Sequence, residues 1–317
     1  MALSVRRPFR FGVVSGASDA VSWLALARTA EELGYSVLLN SDHLDMSGAH
    51  TSTFAPIPAL GAAAAVTSVI KLGTSVLNHD WRHPAILARE VASLDVLSEG
   101  RFELGLGAGW AEYEYNWAGI EFKSASERIA RLAEYVAVLK SLLECEMTSF
   151  QGDYFVISEM PGIPRPVQSP RPKLMLGGTF ERMLSLAARE AEIVSVMHTH
   201  PRAATAAAMD QRLAWIRGVA GARFAEIEIN TIIGNIVVAD GDRSKLVENY
   251  VRTAPVQLTA GLNERDFLDA PISLIGSVES ICDELERWRE RWNISYVIVE
   301  SRKIHEFAPI VERLVGR

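Results

Sequence analysis

The chain has 317 residues, of which 49% are hydrophobic and 22% charged, so a sizeable core can be buried and wholesale disorder is excluded. Its net charge of -7 is spread along the sequence, and no stretch interleaves Lys or Arg with aromatics, which argues against a nucleic-acid partner. The amino terminus carries no secretory pattern and the longest small-apolar run, around Leu60 to Val66, is too short for a bilayer, so a cytoplasmic protein without membrane association is expected.

Short β-branched or apolar runs alternate with longer amphipathic stretches, the signature of parallel strands joined by crossover helices. Phe9 to Val14 is the first strand, and Asp19 is placed to cap a helix over Val21 to Leu33 that Gly34 ends. Ser36 to Leu39 is the second strand, Pro58 to Ser68 the next helix, and Lys71 to Leu77 the third strand. Pro84 suits the first turn of a helix running to Leu97. Phe102 to Leu106 is strand four and Ala125 to Glu144 a helix. The stretch from Met147 to Pro172 breaks the rhythm, with a hairpin expected around Gln151-Gly152-Asp153 and several prolines; it reads as an insertion, since the alternation then resumes.

Leu174 to Leu176 is strand five, Phe180 to Arg189 a helix, and Ile193 to Met197 strand six. A helix near Ala203 to Arg217, a seventh strand within Glu228 to Val238, helices over Arg243 to Thr253 and Val278 to Trp292, and a strand at Tyr296 to Val299 complete the series. Eight strands are the closure number of a TIM barrel, so the expected fold is a single (β/α)8-barrel domain spanning the chain, with an insertion at about residues 147–172. Cys145 and Cys282 stand in helical patterns without CxxC spacing, and both are expected as buried thiols.

In such a barrel the chemistry lies just after each strand. After strand two, Asp42 and His43 read either as an acid–imidazole pair that holds a ring or moves a proton, or as a turn cap and a solvated loop residue. After strand three, Ser75-Val76 leads to Asn78 and His79, which could face a substrate, whereas Arg82 and His83 read as surface charges at a helix start. After strand four, Gly107-Ala108-Gly109-Trp110 would let a cofactor approach the backbone with Trp110 walling the pocket; the competing reading is tight strand–helix packing. After strand five, Gly177-Gly178-Thr179 before a helix start suits a phosphate, or is an ordinary βα turn. After strand six, His198-Thr199-His200 lacks a supporting carboxylate or lysine set, so no metal is expected and His198 reads as a pocket-lining residue.

These segments resemble, in order, the luciferase-like superfamily of flavin and deazaflavin oxidoreductases and its branch of F420-dependent enzymes. The resemblance is carried by Arg7-Pro8-Phe9-Arg10-Phe11-Gly12, Ser41-Asp42-His43-Leu44, Arg82 to Glu90, Leu94 to Trp110, Glu114-Tyr115 with Gly119, Gly177-Gly178 with Arg182-Met183-Leu184, and Phe307-Ala308-Pro309. It implies that Asp42 and His43 face a deazaflavin ring, that Ser75-Val76 is a non-prolyl cis peptide behind that ring, that Ala108-Gly109 runs along the cofactor, and that Gly177-Gly178-Thr179 lies near its phosphate. The sugar-phosphate dehydrogenases that resemble this chain have a glutamate acid where Trp110 stands, which removes their proton-transfer pair here and argues against sugar-phosphate oxidation. Asn40-Ser41 and the loop Asp45 to Phe54, with His50, are individual features pointing to a specialised substrate.

The leading expectation is hydride transfer between C5 of coenzyme F420 and a small organic substrate, with His43 orienting it or exchanging a proton. A monooxygenase using FMN and molecular oxygen is the alternative on the same fold, and a flavin-binding barrel without turnover is a third reading. Luciferase-like proteins commonly pair through the region of Ala62 to Ala65, so a homodimer is expected, with core packing as the competing explanation for those alanines.

Overall fold

Asp19 caps the first helix as its position suggests: its carboxylate accepts from the Ser22 N–H at 3.0 Å and from the Ser22 hydroxyl at 2.5 Å. The computed structural model describes residues 6–44, 54–198 and 200–317, so the expected substrate loop, all but its last residue, and Thr199 lie outside the described residues. The first half of the chain forms β1 (Arg10–Val14), α1 (Ala20–Glu32), β2 (Val37–Asn40), α2 (Pro56–Ala64), β3 (Lys71–Thr74), β4 (Leu77–Asn78), α3 (Pro84–Leu97), β5 (Phe102–Gly107), α4 (Glu112–Ala118) and α5 (Ala125–Glu144). Then come β6 (Met147–Gln151), β7 (Val156–Pro161), β8 (Leu174–Gly178), α6 (Glu181–Glu190), β9 (Ile193–Val196), α7 (Ala206–Ala220), β10 (Glu228–Ile233) and β11 (Asn235–Val238). The chain ends with α8 (Arg243–Thr253), α9 (Val256–Thr259), α10 (Glu264–Leu268), β12 (Ser273–Gly276), α11 (Val278–Trp292), β13 (Ile294–Glu300) and α12 (Ile304–Leu314).

The main sheet runs β3-β2-β1-β13-β10-β9-β8-β5-β4, and a further pairing of β3 with β5 joins its ends. The third expected strand is two pieces, β3 and β4, on either side of the Ser75–Val76 peptide, which is cis. Counting those pieces as one, eight strand positions close a ring, and the fold is a (β/α)8 TIM barrel. The seventh expected strand also divides. β10 joins the ring, whereas β11, beyond Gly234, pairs in parallel with β12 in a separate two-stranded sheet.

The chain divides into two compact units. The first comprises Met1–Val14, Thr29–Val37 and Gly177–Arg317. In it α12 buries Ile304, Phe307, Ile310, Val311 and Leu314, and Phe307 meets Phe11 edge-on at 5.6 Å. Arg10 and Glu228, each the first residue of its strand, pair at 2.8 Å at the amino-terminal ends, where a barrel invests in stability.

The second unit comprises Ser15–Arg28 and Leu38–Leu176. There Trp23 is buried and donates its indole N–H to the Ala59 carbonyl at 2.8 Å, tying α1 to α2. Within α2 and its end, Ala63 and Ala64 are buried while Ala62 and Ala65 are exposed, so the alanine run serves the core on one side only. The expected hairpin is β6–β7, antiparallel, and its tip is held by Glu134, whose carboxylate accepts from the N–H groups of Asp153, Tyr154 and Phe155 at 2.6 to 2.9 Å. The segment that follows is anchored by the buried Asp95, which accepts from the N–H groups of Val167 and Gln168. Cys282 is buried as expected; Cys145 is exposed, because it is the residue just past the end of α5, where the helical pattern stops.

Candidate active site

The chemistry of the second unit gathers where β2 ends. The Asp42 carboxylate accepts from Arg82 at 2.6 Å and 3.3 Å and from the Asn78 N–H at 3.1 Å. Arg82, expected as a surface charge, is therefore turned inward: its side chain is one-fifth exposed and reaches Glu90 as well, at 3.6 Å. Burial pushes the Glu90 carboxyl above its ordinary range, with Arg82 opposing it. Asp42 is thus an anchored residue, both of whose oxygens serve the protein.

His43 is held differently. Its Nδ1 lies 3.0 Å and 3.2 Å from the two carboxylate oxygens of Glu114, and the same carboxylate accepts from the Leu44 N–H at 3.0 Å. A carboxylate only accepts, so Nδ1 carries a proton, and in the neutral imidazole Nε2 is then the acceptor. Nε2 has no partner among the described residues. The Trp110 ring meets the imidazole edge-on, centroids 5.7 Å apart. Glu114 comes from α4, a short helix that sequence periodicity does not separate from the glycine turn before it. Its signal is a glutamate and a tyrosine that are almost fully buried between Tyr113 and Trp117, which face outward.

The side chains of Asn78 and His79, expected near a substrate, are both engaged within the protein. The Asn78 side chain accepts from the Asp80 N–H at 3.1 Å and lies 3.1 Å from the Tyr115 hydroxyl, which donates to Asp80 at 2.7 Å. His79 is wholly enclosed: Nδ1 is 3.2 Å from the Gly107 carbonyl, Nε2 is 3.3 Å from Asp80, and the ring packs edge-on against Tyr135. Burial pulls its pKa down to about 4 despite the nearby Asp80. The cause is the short turn after β4, which spends these polar groups on Asp80, itself paired with Arg131.

The glycines after β5 answer chiefly to packing. A Cβ on Gly107 would stand 2.7 Å from Val76 Cγ2, and one on Gly109, at φ +71, would stand 2.0 Å from the Tyr115 hydroxyl. Those directions are filled by protein atoms, so close packing by itself accounts for the missing Cβ at both positions. Arg128 pins the same turn by donating to the carbonyls of Ala108 and Gly109.

In the first unit, Gly177, Gly178 and Thr179 lead into α6, whose cap position is Phe180 and supplies no side-chain acceptor to the first N–H groups. His198 is fixed by its surroundings: Nε2 lies 2.9 Å from the Thr231 hydroxyl and Nδ1 3.3 Å from the Arg212 guanidinium. Thr231 donates in turn to the Val196 carbonyl. Arg212 is buried and donates to the carbonyls of Met197, Ala208 and Ala203. Burial, reinforced by Arg212, holds His198 neutral with its pKa near 3. Its neighbour in sequence, His200, packs on Phe180 and accepts from the Arg202 N–H. No three His, Cys, Asp or Glu side chains converge as a metal set among the described residues, nor is any described helix long and apolar enough to cross a membrane.

The sequence profile of the luciferase-like monooxygenase family matches residues 1–292. The chain belongs to that family. This luciferase-like protein is 31% identical to an F420-dependent glucose-6-phosphate dehydrogenase of Nakamurella multipartita, over 91% of this chain and 84% of that one. A second enzyme of that name, from Microbacterium testaceum, is 33% identical over 58% of this chain, and the match spans about half of that relative, 55% of its length. In fold, the luciferase-like barrel superposes on the coenzyme F420 dependent tetrahydromethanopterin reductase of Methanopyrus kandleri with a TM-score of 0.74 at 21% identity, over 97% of this chain and 98% of that one.

Proposed function

We propose that this protein is an oxidoreductase that uses coenzyme F420 to move a hydride to or from a small organic substrate, with His43 moving the accompanying proton. The observation that carries this reading is the Glu114–His43 contact, which fixes the proton on Nδ1 and leaves Nε2 to accept or return one. Curated relatives named as F420-dependent dehydrogenases support the choice of cofactor.

Two features fit that group. Ser41 at the end of β2 is buried, and its hydroxyl has no partner among the described residues, a polar atom that a ligand would satisfy. Within the first unit, the uncapped start of α6 behind Gly177-Gly178-Thr179 suits a phosphate. Ser75, Val76, Ala108 and Gly109 would contact the ring through backbone and the Val76 side chain. When bound, F420 supplies a carbon centre that gives or takes hydride. The protein's own part is to hold that centre, keep His43 in one tautomer, and let Arg82 and Asn78 pin the loop through Asp42. Asp42 acts here as a positioning residue.

The test is a panel of carbonyl and activated-alkene compounds offered with reduced F420, comparing wild type with His43→Asn. Turnover that His43→Asn abolishes while F420 affinity is kept supports the reading. Oxygen-coupled turnover with FMN would favour the monooxygenase, and tight cofactor binding without any turnover the non-catalytic barrel. A cytoplasmic homodimer belongs to the same proposal, and light scattering that finds only monomer refutes the dimer.

A further inference from the structure

Trp110 is the largest side chain beside His43, and it is 63% exposed. The residues after it divide sharply: Ala111, Glu114 and Tyr115 are buried, whereas Trp110, Tyr113 and Trp117 are turned outward. Tyr113 and Trp117 contact each other, with ring centroids 5.0 Å apart, while Trp110 contacts the imidazole edge-on and leaves most of its surface uncovered. Leu44, next to His43 on the other side, is 51% exposed. An indole is costly to leave in water, and its flat face is a stacking platform for another flat ring.

The charges near His43 in this unit point the same way. Arg82 is spent on Asp42 and Glu90. Arg131 pairs with Asp80. Arg128 donates to the carbonyls of Ala108, Gly109 and Lys123 and lies over the Phe122 ring. Among the described residues, the charged group that reaches His43 itself is the Glu114 carboxylate. A phosphate dianion brought here would meet that carboxylate and find these three guanidiniums already engaged.

We infer that Trp110 selects the substrate: the site takes a planar, uncharged ring compound stacked on the exposed indole, and not a phosphorylated sugar. This rests on the reading that substrate reacts at His43, but its test does not depend on the cofactor. The probes are menadione, an uncharged bicyclic quinone, and glucose 6-phosphate. Binding of each is measured by ligand-observed NMR, without cofactor, to wild type, Trp110→Phe and Trp110→Ala. Menadione should bind wild type and Trp110→Phe alike and lose about ten- to a hundredfold in affinity with Trp110→Ala, and glucose 6-phosphate should not compete. Equal menadione affinity in wild type and Trp110→Ala, or competition by glucose 6-phosphate, overturns the inference. F420 affinity measured on the same proteins separates the two ideas: Trp110-dependent menadione binding without F420 binding refutes the cofactor and leaves the substrate class standing.

Discussion

Replacing Glu114 by Gln exposes the logic of the site most cleanly, because the two side chains have the same shape and differ in what they can accept. The carboxylate faces Nδ1 with two acceptors, at 3.0 Å and 3.2 Å, so it admits only the Nδ1–H tautomer of neutral His43. A charge-assisted hydrogen bond of this kind is worth about 1.5–3 kcal/mol, which favours that tautomer by roughly ten- to a hundredfold. An amide offers an acceptor or a donor to Nδ1 according to its flip, and a neutral bond of about 1 kcal/mol leaves only about a fivefold preference. Nitrogen-15 NMR of the imidazole at alkaline pH reads the tautomer directly, with His43→Gln assigning the signal. Wild type should show Nδ1–H alone and Glu114→Gln a mixture, with the Leu44 N–H still bound by the amide oxygen. A wild-type spectrum dominated by Nε2–H refutes the reasoning.

Acid should destabilise the fold through His79. Burial pulls its pKa from the ordinary histidine value of about 6.5 down to about 4 in the fold, so the unfolded chain takes up the proton first. Stability from this group is therefore complete above the ordinary histidine range and drains away as pH falls toward the folded value. The loss should be about 2 kcal/mol between about pH 7 and about pH 5. Urea midpoints for wild type and His79→Phe should show that extra pH slope only in wild type; parallel slopes would contradict it. Arg82→Leu strands Asp42, whose side chain is 8% exposed, and should cost about 3–5 kcal/mol, with Asp42→Asn added to it recovering much of the loss; calorimetry that finds the single variant as stable as wild type rejects the pairing. Gly109→Ala meets both a left-handed backbone and the Tyr115 hydroxyl, so thermal unfolding should report a loss of about 2 kcal/mol or more; an unchanged melting temperature would mean the turn is not packed as described.

The barrel was legible because its strands and crossover helices each carry one strong pattern: α3 and α5 lie where Pro84 and the apolar spacing after Ser124 put them. What periodicity missed is what departs from that pattern. β12 is four residues long and pairs away from the ring, and α4 is a seven-residue helix. The site was half legible. Asp42 and His43 stand where a strand end leaves polar residues, but their partners Arg82 and Glu114 are 40 and 71 residues further on, a separation that no local pattern spans. The glycines at residues 107 and 109 are an ambiguous cue, since close packing and close ligand approach demand the same missing Cβ.

The cofactor is the central claim, and parallel equilibrium titrations of the purified protein with F420 and with FMN test it most directly. Binding of F420 at micromolar concentration or tighter, with FMN weaker by about tenfold or more, is the predicted result; FMN bound at micromolar concentration with no affinity for F420 would contradict the account.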